Sequence, residues 1–324
     1  MADALLTRIL RESGVPNLVD ILSERLSPTD LQSLLLEVMK RRAEQRAPST
    51  VLHQYESSRF VTPSVVPQDM FALFDCIAFE TAAATPFAPL EISPVAPLGC
   101  SSAIAPISQN VAVATVRGTE VVSDSTNVLA LECALRRRTL MESNVRSLDR
   151  VRLCTSHRLL RGQKFDGPEY TAHFRAFAVC TAGRDEGSER LEWSALAEQI
   201  DFWIRLLNAL SRVKPFAMES LEVKLIDRTP TAALTQSLGA LIADLRGLHN
   251  HVRFTTTATT EGGGYYPFAQ FKLLATIRGK QWEVGDGGFT DWTQKLLNNR
   301  KERLLISGFG TELFCKVFVR ETRK

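Results

Sequence analysis

The chain has 324 residues, enough for one large core or two domains, with 44% hydrophobic and 23% charged residues, the ordinary globular range. A net charge of +3 excludes a field strong enough to imply nucleic-acid binding by itself, although a local basic patch stays open. Six scattered cysteines, with no C-x-x-C pair, argue against a disulfide framework or zinc site and for a reducing compartment.

The opening MADALLTRILRESG places Asp3, Arg8 and Arg11 where a signal peptide needs an apolar core, and no apolar run reaches membrane-spanning length. A soluble, cytoplasmic protein without membrane contact is expected. Residues 1–46 read as two or three short helices. In the last, Pro28 follows the cap Ser27, and Leu31, Leu34, Leu35, Val38 and Met39 recur at helical spacing. The run KRRAEQR, which could touch nucleic acid, reads first as a charged helix end. Pro48–Gln68 reads as a linker or extended arm. The expected division is an N-terminal helical segment with linker over 1–60 and a core domain over 61–324.

From Asp69 an amphipathic helix carries Met70, Phe71, Phe74, Ile77 and Ala78. The proline-rich FAPLEISPVAPLG follows, and Pro89, Pro94 and Pro97 confine it to a sheet edge or an interface. The apolar surface of 69–97 predicts a homodimer. A strand over Val111–Arg117 and another ending at Ser123 precede a helix capped by Ser125 or Thr126. Asp124 then sits at a strand-to-helix corner, where it could meet an ammonium group or merely assist the cap.

Two β-like runs, Val151–Arg161 and His173–Thr181, flank a polar loop with Gly162, Gly167 and Pro168, a long-looped hairpin. It carries Arg158 and Arg161 on one arm and His173, Arg175 and Phe177 on the other. Cations beside an aromatic suit a triphosphate with a stacked base; an ordinary hairpin with a solvated cationic face would look alike.

Beyond it, Ser188 is expected to cap a helix bearing Leu191, Leu196, Ile200, Trp203, Leu207 and Leu210. A strand over Glu219–Ile226, a helix over Thr231–His249 and a threonine-rich strand from Arg253 come next. EGGGYY then leads into the strands FAQFKLLATI and QWEV, and GDGGFTDW marks sharp turns or a close approach to a ligand. A short helix, a strand over Leu304–Ser307 and a last helix from Thr311 close the chain. Helices inserted among strands predict an α+β fold with a mixed or antiparallel sheet.

A helix with a proline-bearing strand, a hairpin with Arg and H-x-x-x-F, and a closing glycine-strand-helix unit resemble motifs 1, 2 and 3 of the class II aminoacyl-tRNA synthetases. EGGGYY, GGFTDW and GFGTEL are similar to the histidyl-tRNA synthetase core and to its non-charging relative, the regulatory subunit of ATP phosphoribosyltransferase. The resemblance covers roughly residues 69–320. It implies a class II synthetase-like sheet, with ATP and Mg2+ as cofactors, an amino acid or other small amino-containing metabolite as ligand, and Pro94 at a dimer interface. Asp124 and Thr126 would hold the ligand's amino group beside Tyr265, Tyr266, Gly287 and Gly288. Arg161 (or Arg158, if the register slips by three) would bind the α-phosphate and act catalytically, with Gln163 in place of the family's glutamate. His173 would lie near the γ-phosphate, Phe177 would stack on adenine, and Glu312 would keep the acidic half of motif 3.

The departures point away from tRNA charging. Glu261 replaces an arginine ahead of the paired tyrosines, Leu313 replaces the motif 3 arginine, and Val179 and Gly183 stand where the histidine ring would be read. No anticodon-binding domain is expected. Two functions follow: an adenylate-forming ligase that does not charge tRNA, or a catalytically degenerate paralogue that binds a metabolite or protein partner. Lys164 or Lys316 could compensate for the lost arginine in the first. The N-terminal helices could recruit a partner. A nucleic-acid accessory role through 36–46 and 136–138 is the weakest reading.

Overall fold

The computed structural model describes residues 2–164, 170–228, 232–259 and 265–319. The expectations placed on Gly167, Pro168, Glu261 and the three glycines at 262–264 lie outside the described residues.

The chain divides into two units, Met1–Ser58 with Ala114–Thr119, and Arg59–Val113 with Glu120–Lys324. The first holds helices α1 (Ala2–Ser13), α2 (Pro28–Glu44) and α3 (Pro48–Ser57). Ser27 caps α2 as expected, its hydroxyl accepting from Asp30 N at 3.2 Å. The stretch from Pro48, expected to be extended, starts α3 instead, because a proline at the first helical turn needs no amide partner. No described residue of this unit is buried.

The second unit is built on an eight-stranded sheet. Its strands are β1 (Ala88–Pro89), β2 (Val151–Leu160), β3 (His173–Arg184), β4 (Ser220–Asp227), β5 (Arg253–Ala258), β6 (Ala269–Ile277), β7 (Lys280–Thr290) and β8 (Glu302–Phe309). They lie in the order β1-β2-β3-β8-β7-β6-β4-β5. All neighbours are antiparallel except the outer pairs β1–β2 and β4–β5. The fold is thus α+β with a mixed sheet, and the proline-bearing β1 sits on an edge, where a missing amide costs no ladder bond. The expected strand over Val111–Arg117 is only the short Val113–Ala114, after a 3₁₀ turn.

Six helices cover the sheet: α4 (Gln68–Ala83), α5 (Ser125–Ser143), α6 (Arg190–Ser211), α7 (Ala232–Leu248), α8 (Trp292–Leu297) and α9 (Thr311–Val319). One face of the sheet packs against α4, α6, α7 and α9 around Phe74, Phe177, Trp203, Phe271 and Phe314. The other packs against α5 and α8 around Leu129, Cys133, Ala178 and Trp292. Ser188 is not the cap of α6: the helix begins after Glu189, with both residues at positive φ and no side-chain cap bond. On α4, Phe71, Phe74, Ile77, Ala78 and Ala82 are buried within the chain's own core. The apolar surface that suggested a homodimer is therefore largely spent inside the unit, leaving Leu98, 54% exposed, beside the proline segment.

The GDGG segment does not turn. It continues β7, flanked by β6 and β8, and follows a bulge between Glu283 and Gly285. Its glycines sit against close neighbours: a Cβ on Gly285 would meet Gly308 O at 2.6 Å. A Cβ on Gly287 would meet Ser307 Cβ at 2.5 Å and the Phe271 ring at 2.7 Å, and one on Gly288 would meet the Tyr266 ring at 2.5 Å.

Candidate functional site

The β2–β3 hairpin pairs from Val151↔Ala182 to Leu160↔His173, and Arg161 N extends the ladder by donating to Ala172 O at 2.7 Å. Alternation along a strand then decides which side chains share a face. Leu159 pairs with Phe174, so Arg161, two residues on, shares its face with Phe174, Ala176 and Ala178. Arg158 pairs with Arg175, and with His173 and Phe177 these belong to the opposite face.

A cleft of about 400 Å³ opens on the first of these faces. Asp124 enters it from the start of α5. The carboxylate accepts from Thr126 N at 2.9 Å and Thr126 Oγ1 at 2.8 Å, capping the helix, while Arg161 Nη2 donates to Oδ2 at 3.2 Å. Arg161 Nε also donates to Ser123 O at 2.7 Å, and the guanidinium lies 5.1 Å over the Phe174 ring. Asp124, rather than Ser125 or Thr126, is thus the cap, and its second carboxylate oxygen is met by the hairpin's guanidinium.

Tyr265 and Tyr266 form the far wall, edge to face at 4.9 Å, with Tyr265 also against Trp292 at 5.6 Å. Burial first, then the nearby Asp124 carboxylate, pushes the Tyr265 phenol well above its ordinary value; burial and Asp286 do the same for Tyr266. Asp286, just past the bulge in β7, is pushed up to about 6 by burial, reinforced by Glu283 and Asp124. Its neighbours are the Tyr266 hydroxyl and Gln270 Nε2, the latter at 3.4 Å. An adjoining arm of the cleft is bounded by Tyr170, Glu312, Leu313 and Lys316.

Asp124, Thr126, Arg161, Tyr265 and Tyr266 are therefore brought together. Of the other expected residues, Phe177 borders the cleft with its ring in the core and Glu312 borders the side arm, while the rest are placed elsewhere. Arg158 Nη1 contacts His173 Nδ1 at 2.9 Å and donates to Glu312 Oε2 at 3.1 Å, and His173 Nε2 meets Thr62 O at 2.6 Å. Arg175 binds Asp75 and Ser156. These three side chains stand across the sheet from the cleft, since alternation sends them there. Phe177, expected to stack a base, is a core residue with no exposed surface, its ring packed on Phe79, Phe202 and Trp203. Phe174 holds the position beside Arg161 instead, a slip of three residues. Gln163 is exposed and lines no part of the cleft, and its backbone carbonyl accepts from Arg59 at 3.3 Å. Gly287 and Gly288 make room for protein side chains rather than for a ligand. Glu312 borders the side arm but is engaged by Arg158, the Arg175 amide and Ser64.

Sequence reasoning missed Phe174, Glu283 and Asp286. Counting the hairpin register from Leu160↔His173 would have found the first. The acidic pair is made part of the cleft by the bulge, which strand alternation does not reveal.

Leu313 stands where an outer-phosphate arginine is expected, Arg161 is already paired, and the remaining hairpin cations face away. Val179 and Gly183 are core positions, the Gly183 Cβ site being filled by Leu191 at 2.5 Å. Among the described residues, no cluster of three His, Cys, Asp or Glu residues is arranged to hold a metal ion. No helix among them is long and apolar enough to cross a membrane.

No protein-family model and no curated protein matches the sequence. Solved structures do match by shape. The apo histidyl-tRNA synthetase of S. aureus aligns with a TM-score of 0.57 at 14% identity, over 81% of this chain and 69% of that one. A protein from Bacillus halodurans described as an ATP phosphoribosyltransferase regulatory subunit/histidyl-tRNA synthetase aligns at 0.56 and 12%, over 80% and 82%. The histidyl-tRNA synthetase of a Nostoc species gives 0.60 and 12%, over 82% and 75%.

Proposed function

We propose, for a chain that has the class II aminoacyl-tRNA synthetase-like fold, that it does not charge tRNA and works in the cytoplasm as a binding protein for a small amino-containing ligand. The observation that carries this reading is the composition of the cleft. It keeps the acid and tyrosines suited to an ammonium group (Asp124, Tyr265, Tyr266) and adds Asp286, while Leu313 takes the place of a phosphate-binding arginine.

Adenylate formation depends on neutralising phosphate charge as it shifts, and electrostatic clamps of that kind contribute several kcal/mol to such barriers. Among the described residues the cleft offers one arginine, held by a carboxylate, so ATP with Mg2+ is not assigned to it. The ligase reading retains one support, that Arg161 does lie on the cleft face. By analogy with the regulatory subunit in the name of one structural relative, ligand occupancy would be passed to a protein partner. The helices of the N-terminal unit suit such a partner, because they expose Leu5, Leu6, Ile9, Leu34, Val38 and Met39. A homodimer contact around Leu98 would be a further association.

Calorimetric titration with amines, amino acids and Mg-ATP, together with ATP–pyrophosphate exchange, tests the proposal. The expected result is binding of an amino compound without ATP and no exchange. ATP binding that is abolished by Arg161→Ala would overturn it in favour of the ligase.

A further inference from the structure

The identity of the ligand can be narrowed by asking what the cleft leaves without a partner. An α-amino acid carries its ammonium and its carboxylate on the same carbon, and a site for it supplies opposite charges to both. Here the two ends are unequal. Four carboxylates, Asp124, Glu283, Asp286 and Glu312, line the cleft and its side arm, against the cations Arg161 and Lys316 among the described residues.

Most of these charges are already matched. Asp124 holds Arg161, and Glu283 pairs with Lys272 at 2.8 Å. Lys316 lies 3.9 Å from Glu312 and 3.4 Å from Thr171 Oγ1. Arg161 has one edge on Ser123 O and Asp124 and one face on Phe174, so a ligand carboxylate would have to displace a protein contact to reach it. No cation occurs in the sequence of 165–169 (FDGPE) or of 260–264 (TEGGG). Asp286 is the exception on the acidic side. No cation among the described residues pairs with it, and its hydrogen-bond neighbours, Tyr266 and Gln270, are neutral. A partly buried carboxylate without a counter-ion is costly, and a ligand cation would relieve that cost.

The rest of the lining fits the same ligand. Leu159, Ala176, Ala178, Ile306 and Leu313 offer no donor to an anion, and the tyrosine rings favour a cation beside an apolar body. We infer that the cleft takes an organic ammonium bearing neither carboxylate nor phosphate, its nitrogen between Asp286 and Asp124 and its body against Leu313 and Phe174. This rests on the proposal that the cleft binds an amino-containing ligand, and it specifies the class.

Matched pairs of probes separate the two statements. The full chain is titrated calorimetrically with histamine and histidine, tyramine and tyrosine, agmatine and arginine, and 1,5-diaminopentane and lysine. The amine of at least one pair is expected to bind at least about tenfold more tightly than its amino acid, and Asp286→Asn to weaken it by about tenfold or more. Leu313→Arg, which adds a cation without touching Asp286, is expected to weaken the amine and strengthen the amino acid. Thermal melts of both variants verify folding, and the second keeps the test open if the first is unstable. Amino acids binding as tightly as their amines would overturn this inference and leave the proposed function standing. No binding by any member of any pair at millimolar concentration would overturn both.

Discussion

Arg161 and Asp124 hold each other across the mouth of the cleft, Nη2 to Oδ2 at 3.2 Å, although they are separated by 37 positions in the chain. The pair joins the end of the hairpin to the start of α5. It also means that the arginine best placed to meet a phosphate is the one that neutralises the acid best placed to meet an amine.

Asp124 has two roles that substitution can divide. Asparagine caps helices about as well as aspartate, so Asp124→Asn should keep the cap while losing the Arg161 ion pair and the charge facing a ligand. Asp124→Ala loses the cap as well, at about 1 kcal/mol. Chemical denaturation of the two variants, read beside amine titration, should show equal losses of binding and unequal losses of stability.

Phe174 and Phe177 should behave in opposite ways. Phe177 is fully buried among Phe79, Phe202 and Trp203, so Phe177→Ala should cost about 3–5 kcal/mol of stability. Phe174 is only partly buried and lines the cleft, so Phe174→Ala should weaken ligand binding with less than half that loss. Similar destabilisation by the two changes would refute the assignment of faces.

Gly288 tests the close approach of Tyr266. An added Cβ would lie 2.5 Å from that ring and 2.8 Å from Ala269 O, backbone that cannot step aside. Gly288→Ala should therefore destabilise by roughly 1–3 kcal/mol and disturb the Tyr266 environment, visible in near-ultraviolet dichroism.

Asp286 predicts a pH dependence. Its carboxyl is raised from 3.8 to about 6 by burial, with Glu283 on its own strand and Asp124 opposite adding to the shift. Tyr266 and Gln270 oppose it weakly, Arg228 donates to the Gln270 oxygen, and Lys272, its register partner on β6, is occupied by Glu283. The folded state thus keeps a proton that the unfolded state loses, so this group lowers stability as pH rises from about 4 to about 6, by roughly 3 kcal/mol in all. Asp286→Asn mimics the protonated form. The variant should match the parent near pH 4 and exceed it above pH 7 in thermal unfolding. Amine affinity of the parent should rise over the same interval as the carboxylate forms.

Much of the fold is legible along the chain because it rests on local rules. The hairpin at 151–184, the capped helix after Asp124, the proline edge and the order of the glycine elements all follow from alternation, capping and backbone restriction. The expectations that failed did so where a neighbour distant in sequence decided. GDGG stays in a strand because Ser307, Phe271 and Tyr266 occupy the space that side chains would need.

The same boundary divides the site. Sequence by itself determined that Asp124, Thr126, Arg161, Tyr265 and Tyr266 belong to one kind of scaffold, and that Leu313 breaks its pattern. Only the tertiary structure decided that Arg158, His173 and Arg175 turn away from the cleft and that the Phe177 ring is spent in the core, while Phe174 and Asp286 turn into the cleft. A three-residue slip of register reverses every side chain on a strand, and a bulge resets the count, so the charge of the cleft emerges only when the strands are paired.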